Sequence, residues 1–420
     1  MRTYRELFRT PEFTPLFATS SAQVAASTVS GLALATLVFD ATRSPLLSAL
    51  SMFGPSFAQV IGAAFFLSAA DRLPPRVTMA GLALVYGVGT AALAIPGLPV
   101  WAIFPILLGM GLIGAVGGGA RYGLLAEILP KNGYMLGRSV MNMAVGAMQI
   151  LGFAVGGVLV TALSARGTLA TAAGLDVAAA ITAMIGLSSR PPRAAGRPSV
   201  AETWRVNRQL WSNRARRYVY LGLWVPNGLI VGCEALFVPY NPRHAGALFA
   251  FTAFGMLIGD TLAGRFIPQH WRRRLAAPLR LVLAAPYLLF ALHPSLPLAI
   301  ALATLASVGY ASSLLLQEQL IALTPDDVQG QALGLHTSGM LTMQGVCAAL
   351  AGTAAQHMSP AAAMSLMAAA STAVTLALAP RLRPSESGTG TGSGSGSRSG
   401  SGSDIEPGTE AAAPAAPAVP

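Results

Sequence analysis

The stretch VTMAGLALVYGVGTAALAIPGLPVWAIFPILLGMGLIGAVGGGA, residues 77–120, carries the chain from Arg76 to Arg121 without one charged side chain. A core helix of a soluble protein needs ~10–14 apolar residues and a bilayer crossing ~20. This run therefore holds two crossings, divided by I-P-G-L-P at 95–99, where Pro and Gly end one helix and open the next. Comparable runs recur on both sides of it. Counting between charges and Pro/Gly punctuation gives twelve segments, at about 14–38, 46–70, 77–95, 100–128, 139–164, 168–188, 218–239, 245–267, 276–292, 297–323, 331–357 and 360–380. The ninth is short and carries Arg280 near one end, where a long side chain snorkels to the interface.

Composition agrees with this layout. Of 420 residues 53% are hydrophobic and 10% charged, against roughly 25% charged in an ordinary soluble domain. That excludes a soluble multidomain enzyme and a disordered chain. Cys233 and Cys347 are the only cysteines and both sit in apolar runs, so no disulfide scaffold is expected. The first apolar run outlasts the ~7–15 residues of a signal-peptide core and reads as an uncleaved first helix.

The formal charge of +11 would suit a nucleic-acid partner only as a basic face on a soluble module. Here it reports orientation. With the amino terminus inside, the alternate loops expected outside hold only Arg43, Arg166 and Arg243, and nearly all other arginines fall inside. The positive-inside rule then puts both termini in the cytoplasm of a cell-membrane protein. No nucleic-acid partner is expected.

The chain divides into an amino-terminal half (1–188), a basic loop (189–217), a carboxy-terminal half (218–383) and a Gly/Ser/Pro/Ala-rich tail (384–420) expected to be disordered. Two readings of the loop stay open: a solvated linker, or an interfacial helix on anionic headgroups. At one constant offset Pro130 falls on Pro325, Met148 on Met343, Gln149 on Gln344 and Gly157 on Gly352. Such an internal repeat implies two six-helix halves with a path between them.

Several short motifs carry a resemblance. LSAADRLPPR at 67–76 is similar to the loop motif of the major facilitator superfamily, G-x-x-x-D-R-x-G-R-R: Asp71, Arg72 and Arg76 match, while Leu67 replaces the first Gly and Pro74–Pro75 the middle Gly-Arg. EILP at 127–130 followed by Arg138 resembles the acid, Pro and Arg after the fourth span of that superfamily. GFAVGG at 152–157 is similar to the exporter motif G-P-x-x-G-G with Phe153 for Pro. GLDVAAA at 174–180 and VFDATRSP at 38–45 resemble the branch of siderophore and macrolide exporters. The resemblance covers about residues 5–380. It implies the major facilitator fold, a monomer in the lipid bilayer, and efflux of a small organic molecule (a drug, secondary metabolite or siderophore) by proton antiport. An uptake permease of the same fold and a non-transporting membrane sensor remain alternatives. Pro105 stands where proton-coupled exporters usually carry an Arg.

Candidate residues follow. Asp71, Arg72, Arg76, Glu127 and Arg138 form a candidate cytoplasmic gate, with Asp71 facing a helix amino terminus and Arg76, Glu127 and Arg138 pairing across helix ends. The alternative is that they mark the membrane interface. Charged residues at depth are functional candidates by default. Glu234 and Arg121 are the first candidates for proton coupling, because spans one, four, seven and ten line the cavity in the resembling fold. Asp176 is a third, although its span suits a structural hydrogen-bonding acid better. Asp260 and Glu318 read as interfacial, and His336 as a polar contact. Helical stripes of Ser20, Gln23, Ser27 and Ser30, of Asn142 and Gln149, and of Tyr310 and Gln317, with Gln344 repeating Gln149, suit either a cavity lining or helix packing. No P-loop, metal cluster, cofactor motif or nucleophile–base set is present in the sequence, so neither an enzyme nor a cofactor is expected.

Overall fold

The computed structural model describes residues 3–66, 73–191, 200–325 and 328–382. Asp71, Arg72 and the tail at 384–420 lie outside the described residues.

Among the described residues the regular structure is all helical. After a short α1 (Tyr4–Phe8), α2 (Phe13–Thr42), α3 (Pro45–Phe66), α4 (Pro75–Leu93) and α5 (Val100–Ile128) follow in order. The long α6 (Lys131–Gly186) contains two arms, broken at Ser164 with φ 70. Then come α7 (Val200–Ser212), α8 (Arg214–Glu234), α9 (Phe237–Tyr240), α10 (Ala245–Phe266), α11 (Gln269–Leu288), α12 (Leu296–Val308), α13 (Ser312–Ala322), α14 (Gln329–His357) and α15 (Pro360–Leu382). Short 3-10 turns extend α11 to Leu292 and join α12 to α13.

Ten stretches among the described residues are long and apolar enough to cross a membrane. One of them, Leu136–Gly186, runs 51 residues and holds both arms of α6. Helix α14, at 29 residues, is more polar, with Gln331, His336 and Gln344 along it, and completes the twelve crossings. The fold is thus an all-α membrane protein of two six-helix halves. Outward-facing apolar side chains such as Ile185, 82% exposed, and Val158, 65% exposed, form the surface that a bilayer would cover.

Two local features concern the basic loop and Arg280. The basic loop contains a helix, α7, whose Val206 and Leu210 pack on Ala332 of α14 while Gln331 donates to Asn207 at 3.1 Å. Arg280 does not snorkel. Helix α11 starts at Gln269, earlier than its apolar run, so Arg280 lies well inside it and is 2% exposed. Its guanidinium occupies the space that the missing side chain of Gly222 leaves on α8.

The two halves meet at matching places. Gly157 of α6 lies against Gly246, the second residue of α10, and its repeat partner Gly352 of α14 lies against Leu46, the second residue of α3. Phe153 stacks on Phe249 with centroids 4.7 Å apart, and Gln356 donates to Ser44 at 3.1 Å. These contacts lie toward the turns at 42–45, 240–245 and 357–360, at the end of the bundle away from the chain's starting side.

Candidate functional site

Small residues let the helices approach, and polar ones occupy the spaces between. In GFAVGG, Gly152 lies against Thr28 and Gly156 against Val29, so this segment binds α6 to α2, while Gly157 reaches the other half.

Inside the amino-terminal half, α2 to α6 enclose a cavity of about 420 Å³. Gln23, Ser27 and Ser30 line it from α2, Gln59 from α3, Tyr86 from α4, Arg121 from α5 and Asp176 from the second arm of α6. The stripe on α2 therefore faces a cavity over three of its four positions; Ser20 is not in the lining. Tyr86 spends its hydroxyl on the Met110 carbonyl at 3.1 Å, and Gln59 donates to the Gly114 carbonyl at 3.4 Å. Asp176 is 4% exposed and packs on Gly87 of α4. Arg121 keeps a buried Nε without a hydrogen-bond partner. Tyr86 and Gln59 were not singled out in the sequence; their spacing from charged residues gave no signal.

A second polar cluster lies in the carboxy-terminal half. Glu234, 7% exposed at the end of α8, accepts a hydrogen bond from Tyr310 at 3.0 Å. Its donor Tyr310 and its chain neighbour Cys233 belong, with Phe237, Tyr287 and Cys347, to one apolar cluster. A buried carboxylate among aromatic rings is costly to keep charged, and one phenolic donor offsets only part of that cost.

The remaining candidates are spread out. Tyr122 donates to Asn142 at 2.9 Å, and Arg138 lies over the Tyr122 ring at 5.6 Å. Glu127 lies 3.7 Å from Arg190, and Arg76 sits in the first turn of α4. Gln149 is exposed, and Gln317 and Gln344 are half-buried outside the cavity. Asp260 and Glu318 are exposed. Buried His336 accepts, through its backbone carbonyl, a hydrogen bond from Trp224 at 3.1 Å.

Arg190 also makes a contact that sequence reading did not foresee. Its two terminal nitrogens donate to Glu12 at 2.7 and 2.9 Å, and Ser188 adds a backbone donor at 3.0 Å and a hydroxyl at 2.6 Å. The start of α2 is thereby tied to the end of α6. Burial alone would raise the Glu12 pKa, but these donors outweigh it and hold the carboxyl below its ordinary value.

No protein-family model matches the chain. No curated protein matches it either. Solved structures do. The fold is similar to that of the nucleoside transporter NupG, with a TM-score of 0.72 and 11% identity over 88% of this chain and 98% of that one. It is similar to the peptide transporter POT in complex with sulfate, with a TM-score of 0.70 and 13% identity over 91% and 99%. It is also similar to a bacterial homologue of the human lysosomal transporter Spinster in an inward-facing and occupied conformation, with a TM-score of 0.67 and 14% identity over 91% and 97%. What the chain shares with these proteins is the major facilitator fold.

Proposed function

We propose that the protein is a secondary transporter that moves a small organic molecule by alternating access, with protons as the coupling ion and export as the direction. The observation that carries this reading is the division of polar chemistry between the halves. A cavity with a carboxylate and a guanidinium lies in one half, and the Glu234–Tyr310 pair lies buried in the other. In the proposed cycle the seal at Gly157, Gly246, Leu46 and Gly352 opens when the halves rock. Water then reaches Glu234, which takes up a proton outside and loses it on the cytoplasmic side. Arg76, Glu127 and Arg138, with Asp71 and Arg72, form the opposite gate. The similarity in fold to transporters of peptides and nucleosides supports transport in general. Export rests on the GFAVGG resemblance.

The test is flux of a compound panel in proteoliposomes under an imposed pH gradient, with and without a protonophore. Protein-dependent flux that the protonophore abolishes, and that Glu234→Gln removes from folded protein, supports the proposal. Flux unaffected by the gradient removes proton coupling. Flux that follows the proton gradient inward in the same direction as protons identifies an uptake permease. No flux of any compound leaves the membrane-sensor reading in its place.

A further inference from the structure

The cavity of the amino-terminal half holds an acid and a base that do not pair with each other. Among the described residues neither Asp176 nor Arg121 belongs to an ion pair; the pairs present join Arg190 to Glu12 and to Glu127. Asp176 is 4% exposed, yet it makes no hydrogen bond to another described side chain. The Nε of Arg121 is buried and likewise without a partner. Both side chains line the same space of about 420 Å³, within the ~300–1,000 Å³ usual for small-molecule sites.

Unpaired charges at membrane depth persist where something else completes them. Water would serve the polar groups but leave the apolar part of the wall, Leu82, Leu107, Met52 and Met110, without a partner. A purely cationic ligand would satisfy Asp176 and leave Arg121 bare; a purely anionic one would do the reverse. The two groups also stand on different helices. Asp176 packs on Gly87 of α4, whereas Gly117, one turn before Arg121, faces Leu82 of α4, so Arg121 lies about two turns nearer the start of α4 than Asp176 does. One ligand can complete both only if its charges are carried apart, with an apolar body between them to meet the Leu and Met walls.

We propose that this cavity binds an elongated zwitterion, with a protonated amine at Asp176 and a carboxylate at Arg121. The inference deepens the transport reading and rests on it for the ligand's role as cargo. Asp176 and Arg121 then recognise cargo, and proton coupling falls to Glu234. The guanidinium fork suits the planar carboxylate, and Gln23 and Ser27 supply hydrogen bonds along the way.

Binding to the purified full chain in detergent tests the proposal without any gradient, so its failure is separable from failure of transport. The probes are ε-aminocaproate and ω-aminocaprylate, compared with hexylamine, caproate and norleucine by titration calorimetry and thermal shift. The ω-amino acids should bind at least about tenfold more tightly than either singly charged analogue, and more tightly than norleucine, whose charges share one carbon. Asp176→Asn should reduce ε-aminocaproate to the affinity of caproate, and Arg121→Gln to that of hexylamine. Hexylamine or caproate binding as well as the ω-amino acids would overturn the zwitterion. Equal binding of norleucine would overturn the separated charges. No binding by either ω-amino acid would overturn the site. Should either variant fail to fold, the ranking on the unaltered chain decides.

Discussion

Gly157 of α6 and Gly246 of α10 meet backbone to backbone, so close that a Cβ on Gly246 would lie 2.5 Å from the Gly157 Cα. No real side chain tolerates that distance unless the helices part. Gly246→Val should therefore wedge the two halves apart at this end. In the proposed cycle this raises the share of molecules open to the outside. Ser27→Cys offers a reporter on the cavity wall, in a chain whose two native cysteines, Cys233 and Cys347, are replaced by Ala so that opening towards Glu234 adds no background. Labelling of that cysteine by an impermeant maleimide should rise several-fold in the Gly246→Val background. Unchanged labelling would mean that the contact does not hold the seal.

Arg280 and Gly222 form a matched pair inside the carboxy-terminal half. The guanidinium fills the slot over Gly222, and its Nη2 has no hydrogen-bond partner. Gly222→Ala should destabilise the protein by about 1–3 kcal/mol through overpacking. Arg280→Met removes a buried unpaired charge while keeping much of the volume, and should be neutral or stabilising by about 1–3 kcal/mol. The double variant should recover most of the Gly222→Ala loss, since the collision partner is gone. Thermal unfolding of the four proteins gives the coupling; additive effects would show that the two side chains act separately.

Glu12 sits at the amino terminus of α2 with φ 68, a left-handed conformation unusual for a residue with a side chain. What holds it there is the fork from Arg190 and the two donors of Ser188. Because the folded-state pKa is held below the unfolded one, the contact stabilises fully above the unfolded value, about 4.3. It is lost as pH falls through the folded value. Glu12→Gln should lower stability at neutral pH by about 1–2 kcal/mol. It should also flatten the acid limb of a plot of Tm against pH. An acid limb identical to that of the parent chain would assign the pH dependence to other carboxylates.

These cases show which features a sequence makes legible. Long uncharged runs located most helices to within a few residues, because bilayer thickness sets their length, while α6 and α11 start seven or eight residues earlier, at Lys131 and Gln269. The repeat that pairs Gly157 with Gly352 was legible too, and both positions proved to be contacts between the halves. Helix α7 was harder, because Val206 and Leu210 are its only fully buried apolar residues among those described, in a stretch dominated by Arg and polar side chains. The Glu12–Arg190 contact joins residues far apart in the chain, and nothing local to either marks it. Arg280 was misplaced for a related reason. A charge in an apolar run suggests the end of a helix, whereas a glycine on another helix makes room for this one.

Tyr310 is the one described side-chain donor to Glu234, at 3.0 Å, so the pair offers a graded test of the proposed coupling. Tyr310→Phe keeps the ring in its apolar cluster and removes only the hydroxyl, so the fold should survive. Glu234 then loses the donor that favours its charged form, and the cost of releasing a proton inside rises. Gradient-driven flux should fall about tenfold. Exchange of cargo between equal concentrations on both sides, which needs no net proton release, should fall much less. Glu234→Gln should abolish the first and retain the second. Equal losses of both fluxes in Tyr310→Phe would place Tyr310 in cargo binding or in folding, and would separate it from proton transfer.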